Sequence, residues 1–306
     1  MNKFRSLSEP KNQISGDRKL FSDLELRELI WPLFIEQLLV MLVGIADTLM
    51  VSYAGEAAVS GVSLDNMFVT VFIYLFTALA AGGAVVVSQY LGSGDRKSGN
   101  LAASQIFTVS LIFSVAVMVF TLAFNRLILR TLFGSVDDAV MDACITYLNI
   151  SAYSFPALAL YNAGAALFRS MGNTRTAMNV SILMNIINVA GNAVGIFVLH
   201  AGVAGVAWPT FASRVFAAVT VTVLCFKKSN PVCIDWKGLL SWHQQMVKRL
   251  LGIAVPNGVE QGLFQLTKVA LGSVVALFGT SQIAANGVAQ SIWSLAAVIG
   301  TAMGPV

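Results

Sequence analysis

The strongest constraint on the fold is an apolar run over residues 29–53 that also carries two carboxylates, Glu36 and Asp47. At about 1.5 Å per residue, a helix of this length crosses the roughly 30 Å hydrocarbon core of a bilayer. An acidic side chain inside such a span costs roughly 2.5–3.5 kcal/mol on insertion scales. Both carboxylates project from one helical face, about 16 Å apart along the axis. The sequence therefore predicts a span with one face turned to protein, water or an ion.

Composition extends this prediction to the whole chain, because 57% of its 306 residues are hydrophobic and only 11% are charged. Soluble domains carry about 25% charged residues, so we expect an all-α polytopic membrane protein. Pro156 predicts a kink in the fourth span. The predicted spans cover 29–53, 57–91, 99–124, 139–169, 176–199, 204–226, 250–277 and a last segment that starts near 282.

The beginning of the first span recurs late in the chain without a gap. An internal repeat of this kind indicates two related units, here of six spans each. An even number of spans keeps both units in the same orientation, as in transporters built from parallel repeats. The matched polar and conformationally special residues are Pro32, Glu36, Gln37 and Gly55, which become Pro256, Glu260, Gln261 and Gly279.

The repeat predicts how the chain is divided. We expect a cytoplasmic N-terminal arm at 1–28, a first six-helix lobe at 29–227, a cytoplasmic connection at 228–249 and the start of a second lobe at 250–306. A complete second lobe would be as long as the first. The expectation is therefore a six-helix lobe plus about two further helices, with the remainder of the second lobe missing or supplied by another chain.

The distribution of basic residues predicts the orientation. Most of the 19 Lys and Arg residues lie in the N-terminal arm and in the connections after spans 2, 4 and 6. The opposite turns hold only Arg126 and Arg130. The positive-inside rule then places the N-terminus in the cytoplasm of a multi-pass plasma-membrane protein. This pattern explains the net charge of +4 without a nucleic-acid partner.

The polar residues do not form a recognisable catalytic or metal-binding set. His200 and His243 fall in predicted loops without an evident nucleophile, and the three cysteines lack ligand spacing. A phosphate-binding glycine-rich loop is also missing, so ATP is not the expected energy source. We expect a protein that is not an enzyme and needs no cofactor.

Three stretches, at 32–55, 87–95 and 167–178, resemble the multidrug and toxic compound extrusion (MATE) transporters. The second reads Val-Ser-Gln-Tyr-Leu-Gly-Ser-Gly-Asp, and the third begins Leu-Phe-Arg-Ser-Met-Gly-Asn-Thr-Arg. The resemblance covers most of the chain from residue 25. It implies twelve helices in two lobes that open alternately to the two sides of the membrane. It also implies export of organic cations in exchange for Na⁺ or H⁺.

The resemblance further implies an ion-coupling site at Asp47, Asn188, Asn192 and Thr210. Carboxylate, amide and hydroxyl oxygens suit a hard cation such as Na⁺, which is the only metal we expect. Asn192 departs from members that carry an acid there, which leaves Asp47 as the one acid of this set and Na⁺ against H⁺ undecided. The alternative for the asparagine stripe, which includes Asn185, is hydrogen bonding between helices.

A second set of polar residues points to the cleft between the lobes. Glu36 and Glu260 occupy equivalent repeat positions and are expected to face each other there, or else to be solvated near the cytoplasmic mouth. Gln265 and Lys268 share a face of the seventh span. We expect these four residues to contact a cationic substrate, although Lys268 could equally hold a fixed ion pair. Asp65 is expected to mark a helix entrance.

The sequence thus predicts a cation-coupled antiporter that exports organic, cationic drugs or metabolites, with membrane lipid and these substrates as its partners. A lipid-linked precursor flippase of the same superfamily is one alternative. It would require a strongly cationic cleft, whereas only Lys268 and Arg214 are basic at membrane depth. A membrane protein without transport activity is the other alternative, and it predicts that Asp47 serves stability alone.

Overall fold

The computed structural model describes residues 23–133 and 138–276, and within them the chain is helical without a strand. The all-α prediction is therefore confirmed for this part. The arm up to residue 22, residues 134–137 and the predicted last span, which starts near 282, lie outside the described residues. The helices are α1 Asp23–Ser52, α2 Glu56–Gly92, α3 Arg96–Phe133, α4 Asp138–Tyr153, α5 Phe155–Ser170, α6 Thr174–Ala193, α7 Ala204–Cys225, α8 Trp236–Leu240 and α9 Gln244–Ala276.

Five of these helices, α1, α2, α3, α6 and α7, are long and apolar enough to cross a membrane. The pair α4 and α5 makes a sixth span that is bent by 48°. The break lies at Ser154, and Pro156 stands in the first turn of α5, where its missing N–H leaves no bond unmade. The kink predicted from Pro156 is present, two residues earlier than the proline.

The predicted seventh span does form a helix, α9. It is not among the described helices that are apolar enough to cross a membrane. Its sequence includes Glu260, Lys268 and several amides, which lower its mean hydropathy. α9 packs chiefly against α2, where a Cβ on Gly82 would lie 2.6 Å from Ala254 Cα. The absence of a side chain at Gly82 therefore lets the two helices approach closely.

The main core forms where α5 packs against α2, α3 and α7. α5 contributes small residues, Ala163, Gly164 and Ala165, all of them buried. A Cβ on Gly164 would collide with the Val221 side chain of α7. In membranes helices approach closely where small residues face each other, since lipid supplies no hydrophobic force between them. The sequence of α5 thus makes it the central helix of the lobe.

A backbone contact sets the crossing of α6 and α7. The last turn of α6 continues as a π-helical segment, Val194–Val198, which contains Gly195. The backbones of Gly195 and Gly205 meet here, and a Cβ on Gly205 would lie 2.7 Å from Gly195 O. One turn away, Gly191 packs in the same way on Pro209. The polar residues of α6 and α7 are therefore held within hydrogen-bonding reach.

The second and third family-like stretches are junctions between helices. Gly94 and Gly172 adopt the left-handed backbone conformation that glycine tolerates best, with φ of 78° and 75°. The Ser98 side chain and Ser98 N, the latter at 3.0 Å, both donate hydrogen bonds to Asp95 and lower its pKa. Asn173 caps α6 in the same manner. These residues end one helix and start the next on the predicted cytoplasmic side.

The connection between α7 and α9 is bound to α3. Gln105 Nε2 donates to the carbonyls of Gly238 (2.8 Å) and Ser241 (2.6 Å). Trp236 and Trp242 remain exposed, in agreement with a place at the membrane interface. The connection is therefore held against α3, on the same side of the lobe as the junctions at Gly94 and Gly172.

Glu36 is the first correction to the sequence prediction. It is 4% exposed, and its Oε1 lies 2.8 Å from Arg169 Nη2, inside the lobe between α1 and α5. Glu260 is exposed on α9, whose opposite face, with Ala254 and Gly258, packs on α2. Glu36 is neither solvated nor turned to Glu260. The reason is Arg169, which stands far away in sequence and provides the buried acid with its partner.

Substituting Gly195 by Ala should separate α6 from α7. The new Cβ would collide with the carbonyl of Gly205, and overpacking of this kind costs about 1–3 kcal/mol. We expect a lower unfolding temperature of the purified protein. Gly252→Ala is the control, because a Cβ there meets nothing within 4 Å. Equal effects of the two substitutions would show that the close approach does not determine stability.

Glu36→Gln should destabilise the lobe by leaving the Arg169 guanidinium without its charged partner. Breaking a buried pair costs roughly 3–5 kcal/mol, and we expect the lower end because the Arg169 side chain is 21% exposed. Chemical denaturation in detergent measures the loss. Glu28→Gln is the matched control, since the Glu28–Arg175 pair is exposed and contributes about 0–1 kcal/mol. A loss no larger than that of the control would contradict this role.

Candidate functional site

Four residues from three helices form a hydrogen-bonded chain near the predicted outer end of the lobe. Asn192 Nδ2 donates to Asp47 Oδ1 at 2.7 Å and also lies 3.3 Å from Asn188 Oδ1. Asn188 Nδ2 in turn donates to Thr210 Oγ1 at 3.0 Å. We call Asp47, Asn188, Asn192 and Thr210 the Asp47 cluster. The structure brings together all four residues that the sequence proposed as an ion-coupling site.

Local sequence explains how α6 presents its amides. Asn185, Asn188 and Asn192 are spaced so that they lie on one stripe of the helix, and all three are buried. The contact between α6 and α7 then brings Thr210 to Asn188. Thr210 Oγ1 also donates to the carbonyl of Val206 in its own helix, at 2.9 Å. The Thr210 hydroxyl therefore donates a hydrogen bond to the backbone of its own helix and accepts one from Asn188 of α6.

The cluster is rich in oxygen, and one of its buried oxygens is unsatisfied. Asn192 is fully buried, and its Oδ1 has no hydrogen-bond partner among the described residues. Asp47 is only partly buried. Within the described residues, no group of three or more His, Cys, Asp or Glu is placed to hold a metal. A cation here would be held by one carboxylate with amide and hydroxyl oxygens, a set that suits Na⁺.

Two charged residues next to the Asp47 cluster were not recognised as site residues from the sequence. Asp65 in α2 is 0% exposed, so the expectation that it marks a helix entrance is wrong. Arg214 in α7 donates from Nη1 to Ser154 Oγ at 2.7 Å, at the break between α4 and α5. Its charge interacts with Asp47, Asp65 and the Tyr147 side chain.

A signal for this pair was present in the sequence. Asp65 and Arg214 stand nine and ten residues inside their helices, which both begin on the predicted outer side. At 1.5 Å per residue, their Cα atoms share a depth of about 14–15 Å. Opposite charges at equal depth in two spans indicate a pair. The two residues were not recognised as neighbours because the sequence does not show that α2 and α7 face a common interior.

The residues expected to line the cleft do not join this cluster. Glu36 is bound to Arg169, and Glu260 is exposed. Gln265 is half-buried on α9, which packs on α2 and α3 rather than on α6 and α7. The Lys268 side chain lies outside the described side chains. Contact of Glu260, Gln265 and Lys268 with a substrate stays a prediction.

A family model described as MatE matches residues 32–194, which is more than half of the chain. The uncharacterized transporter YisQ of Bacillus subtilis is 31% identical over 90% of this chain and 61% of its own length. The probable multidrug resistance protein NorM of Thermotoga maritima is 26% identical over 94% of the chain and 61% of its own length. The chain thus spans about three fifths of the length of these curated relatives.

Solved structures with the same fold agree with this relationship. A multidrug resistance MATE family transporter of the MOP superfamily, in an outward-facing conformation, superposes with a TM-score of 0.85 at 22% identity, over 92% of this chain and 62% of the other. A MOP superfamily transporter from Pyrococcus furiosus gives 0.86 at 22% identity, over 96% and 66%. The chain belongs to the MatE family of multi-pass membrane transporters.

Proposed function

We propose that this chain provides the ion-coupling lobe of a cation-coupled antiporter that exports organic, cationic drugs or metabolites across the plasma membrane. The observation that carries the proposal is the 2.7 Å hydrogen bond between Asn192 and Asp47. It joins two apolar spans through a carboxylate, where ionisable groups mark ion or proton pathways. The names of the relatives, probable multidrug resistance protein among them, support drugs as the substrate class.

An ion that binds at the Asp47 cluster would change the contact between α1 and α6. Without a cation, the Asn192 amide donates its Nδ2 to Asp47 and holds α6 to α1. A Na⁺ ion at Asp47 attracts oxygens, so the amide turns and presents Oδ1, which has no hydrogen-bond partner among the described residues. A proton on Asp47 removes the negative charge that the amide binds. Either ion changes the contact between α1 and α6 and shifts the populations of the lobe's conformations.

The direction of transport follows from the orientation. The N-terminus is cytoplasmic in this proposal, because the basic residues are concentrated on that side. Asp47 then lies in the outer half of α1, where an ion from outside reaches it first. Arg169 and Arg214 bind Glu36 and Ser154 inside the lobe. They do not provide the cationic cleft that a lipid-linked precursor would require, so the antiporter is the better supported function.

The test is transport of a fluorescent organic cation by the complete protein in inverted membrane vesicles. A Na⁺ gradient and a pH gradient are imposed separately. We expect one gradient to drive uptake, and Asp47→Asn to reduce the initial rate to the background of empty vesicles, because the amide cannot exchange an ion. Asp142→Asn is the control, since it removes an exposed carboxylate from the neighbouring part of the lobe.

Protein amounts in the vesicles are compared by immunoblot, so that loss of transport is separated from loss of protein. The proposal is contradicted if neither gradient moves the dye. It is equally contradicted if Asp47→Asn transports as fast as the wild-type protein. The gradient that succeeds identifies the coupling ion.

A further inference from the structure

Asp65 is a fully buried carboxyl group whose oxygens have no hydrogen-bond partner in the part of the chain that the structure describes. Both Oδ1 and Oδ2 lack a hydrogen bond among the described residues, and the residue is 0% exposed. Nearly all buried polar groups in proteins are hydrogen-bonded, and an unpaired buried carboxylate is costly. Within the described part of the chain, Asp65 therefore lacks the partner that a buried carboxyl group requires.

The surroundings of Asp65 do not favour a metal ion as that partner. Gly61, one turn earlier on the same face of α2, is in tight contact with α4, where a Cβ would lie 2.8 Å from Ala143 Cβ. The nearby Cys144 offers a thiol, which is a poor ligand for Na⁺. A hard cation needs several oxygen ligands and space for them. A proton needs one oxygen and no additional volume.

The titratable groups around Asp65 come from two helices. Arg214 of α7 attracts the carboxylate, while Tyr147 and Cys144 of α4 are its other titratable neighbours. No charged group of α3, α5 or α9 acts on it within the described residues. Arg214 binds Ser154 and also interacts with Asp47 on α1. The guanidinium is therefore shared electrostatically between two carboxylates that belong to different helices.

We propose that Asp65 is a second, proton-binding carboxyl group of the lobe, coupled to the Asp47 cluster through the charge of Arg214. The proposal rests on the proposed antiporter function and adds a site to it. When Asp65 releases its proton to water, its negative charge balances Arg214, and Asp47 is free to hold a cation. When Asp65 takes up a proton, Asp47 is the remaining carboxylate that acts on Arg214 among the described residues, and Arg214 competes with the cation there.

The two sites are thus linked with opposite effects. Binding of a cation at Asp47 favours loss of the proton from Asp65, and uptake of that proton favours release of the cation. Such coupling is reciprocal by thermodynamic necessity. The net charge of Asp47, Asp65 and Arg214 is minus one when all three are ionised, so one proton or one Na⁺ ion neutralises the group. Simultaneous occupation of both sites is then disfavoured.

The test is infrared spectroscopy of the purified complete protein in lipid nanodiscs, with the C=O band of protonated carboxyl groups followed against pH. We expect a band that Asp65→Asn removes and that Asp142→Asn, at an exposed position, leaves in place. Asp65→Glu should keep a band and move its frequency. Arg214→Gln should strengthen proton binding at Asp65 by roughly tenfold or more, because the guanidinium no longer opposes the proton.

The proposal is overturned if Asp65→Asn removes no band, or if Arg214→Gln leaves the pH dependence of the band unchanged. Asp65→Glu is the control for misfolding. It keeps a carboxyl group at this position and should therefore keep a band. The measurement uses no gradient and no substrate. Its failure would therefore not contradict the antiporter, and failure of the vesicle assay would not contradict proton binding by Asp65.

Discussion

The arrangement of the lobe depends on the hydrogen bond between Asn192 and Asp47. In an apolar span a carboxylate is costly, and the cost falls only where another helix offers donors. α6 offers Asn192, and its close approach to α7 at Gly195 and Gly205 places Thr210 behind the amides. The same residues that make the acid tolerable also surround it with oxygen. One group of side chains therefore stabilises the lobe and supplies the oxygens that we propose bind the cation.

The two carboxylates of α1, Glu36 and Asp47, have different kinds of partner. Near the predicted cytoplasmic side Glu36 is bound to Arg169 at 2.8 Å, a charge pair that links α1 to α5. In the outer half Asp47 has an amide donor, which a cation can replace more easily than an arginine. Arg214 extends this outer polar region to Ser154, where the span formed by α4 and α5 bends by 48°. The lobe thus combines a charged contact at Glu36 with an uncharged donor at Asp47, and we propose that a cation exchanges with the latter.

Much of this could be predicted because helical periodicity is visible in a single sequence. The spans, the break near Pro156 and the asparagine stripe follow from apolar length, one proline and residue spacing. The environments of Glu36 and Asp65 could not be predicted in this way. Periodicity shows which face of a helix is polar, but the partner of that face stands on another helix. Arg169 is far from Glu36 in sequence, and only the packed structure brings them together.

The central claim is that the Asp47 cluster holds the coupling cation, and thermal unfolding of the purified protein tests it most directly. Na⁺ is exchanged for K⁺ at constant ionic strength, and pH is varied separately, for the wild-type protein and Asp47→Asn. A ligand bound only by the folded state stabilises it, by about 2.7 kcal/mol at one hundred times its Kd. We predict that one ion stabilises the wild-type protein and that this stabilisation is lost in Asp47→Asn. Equal stabilisation of both proteins would contradict the account.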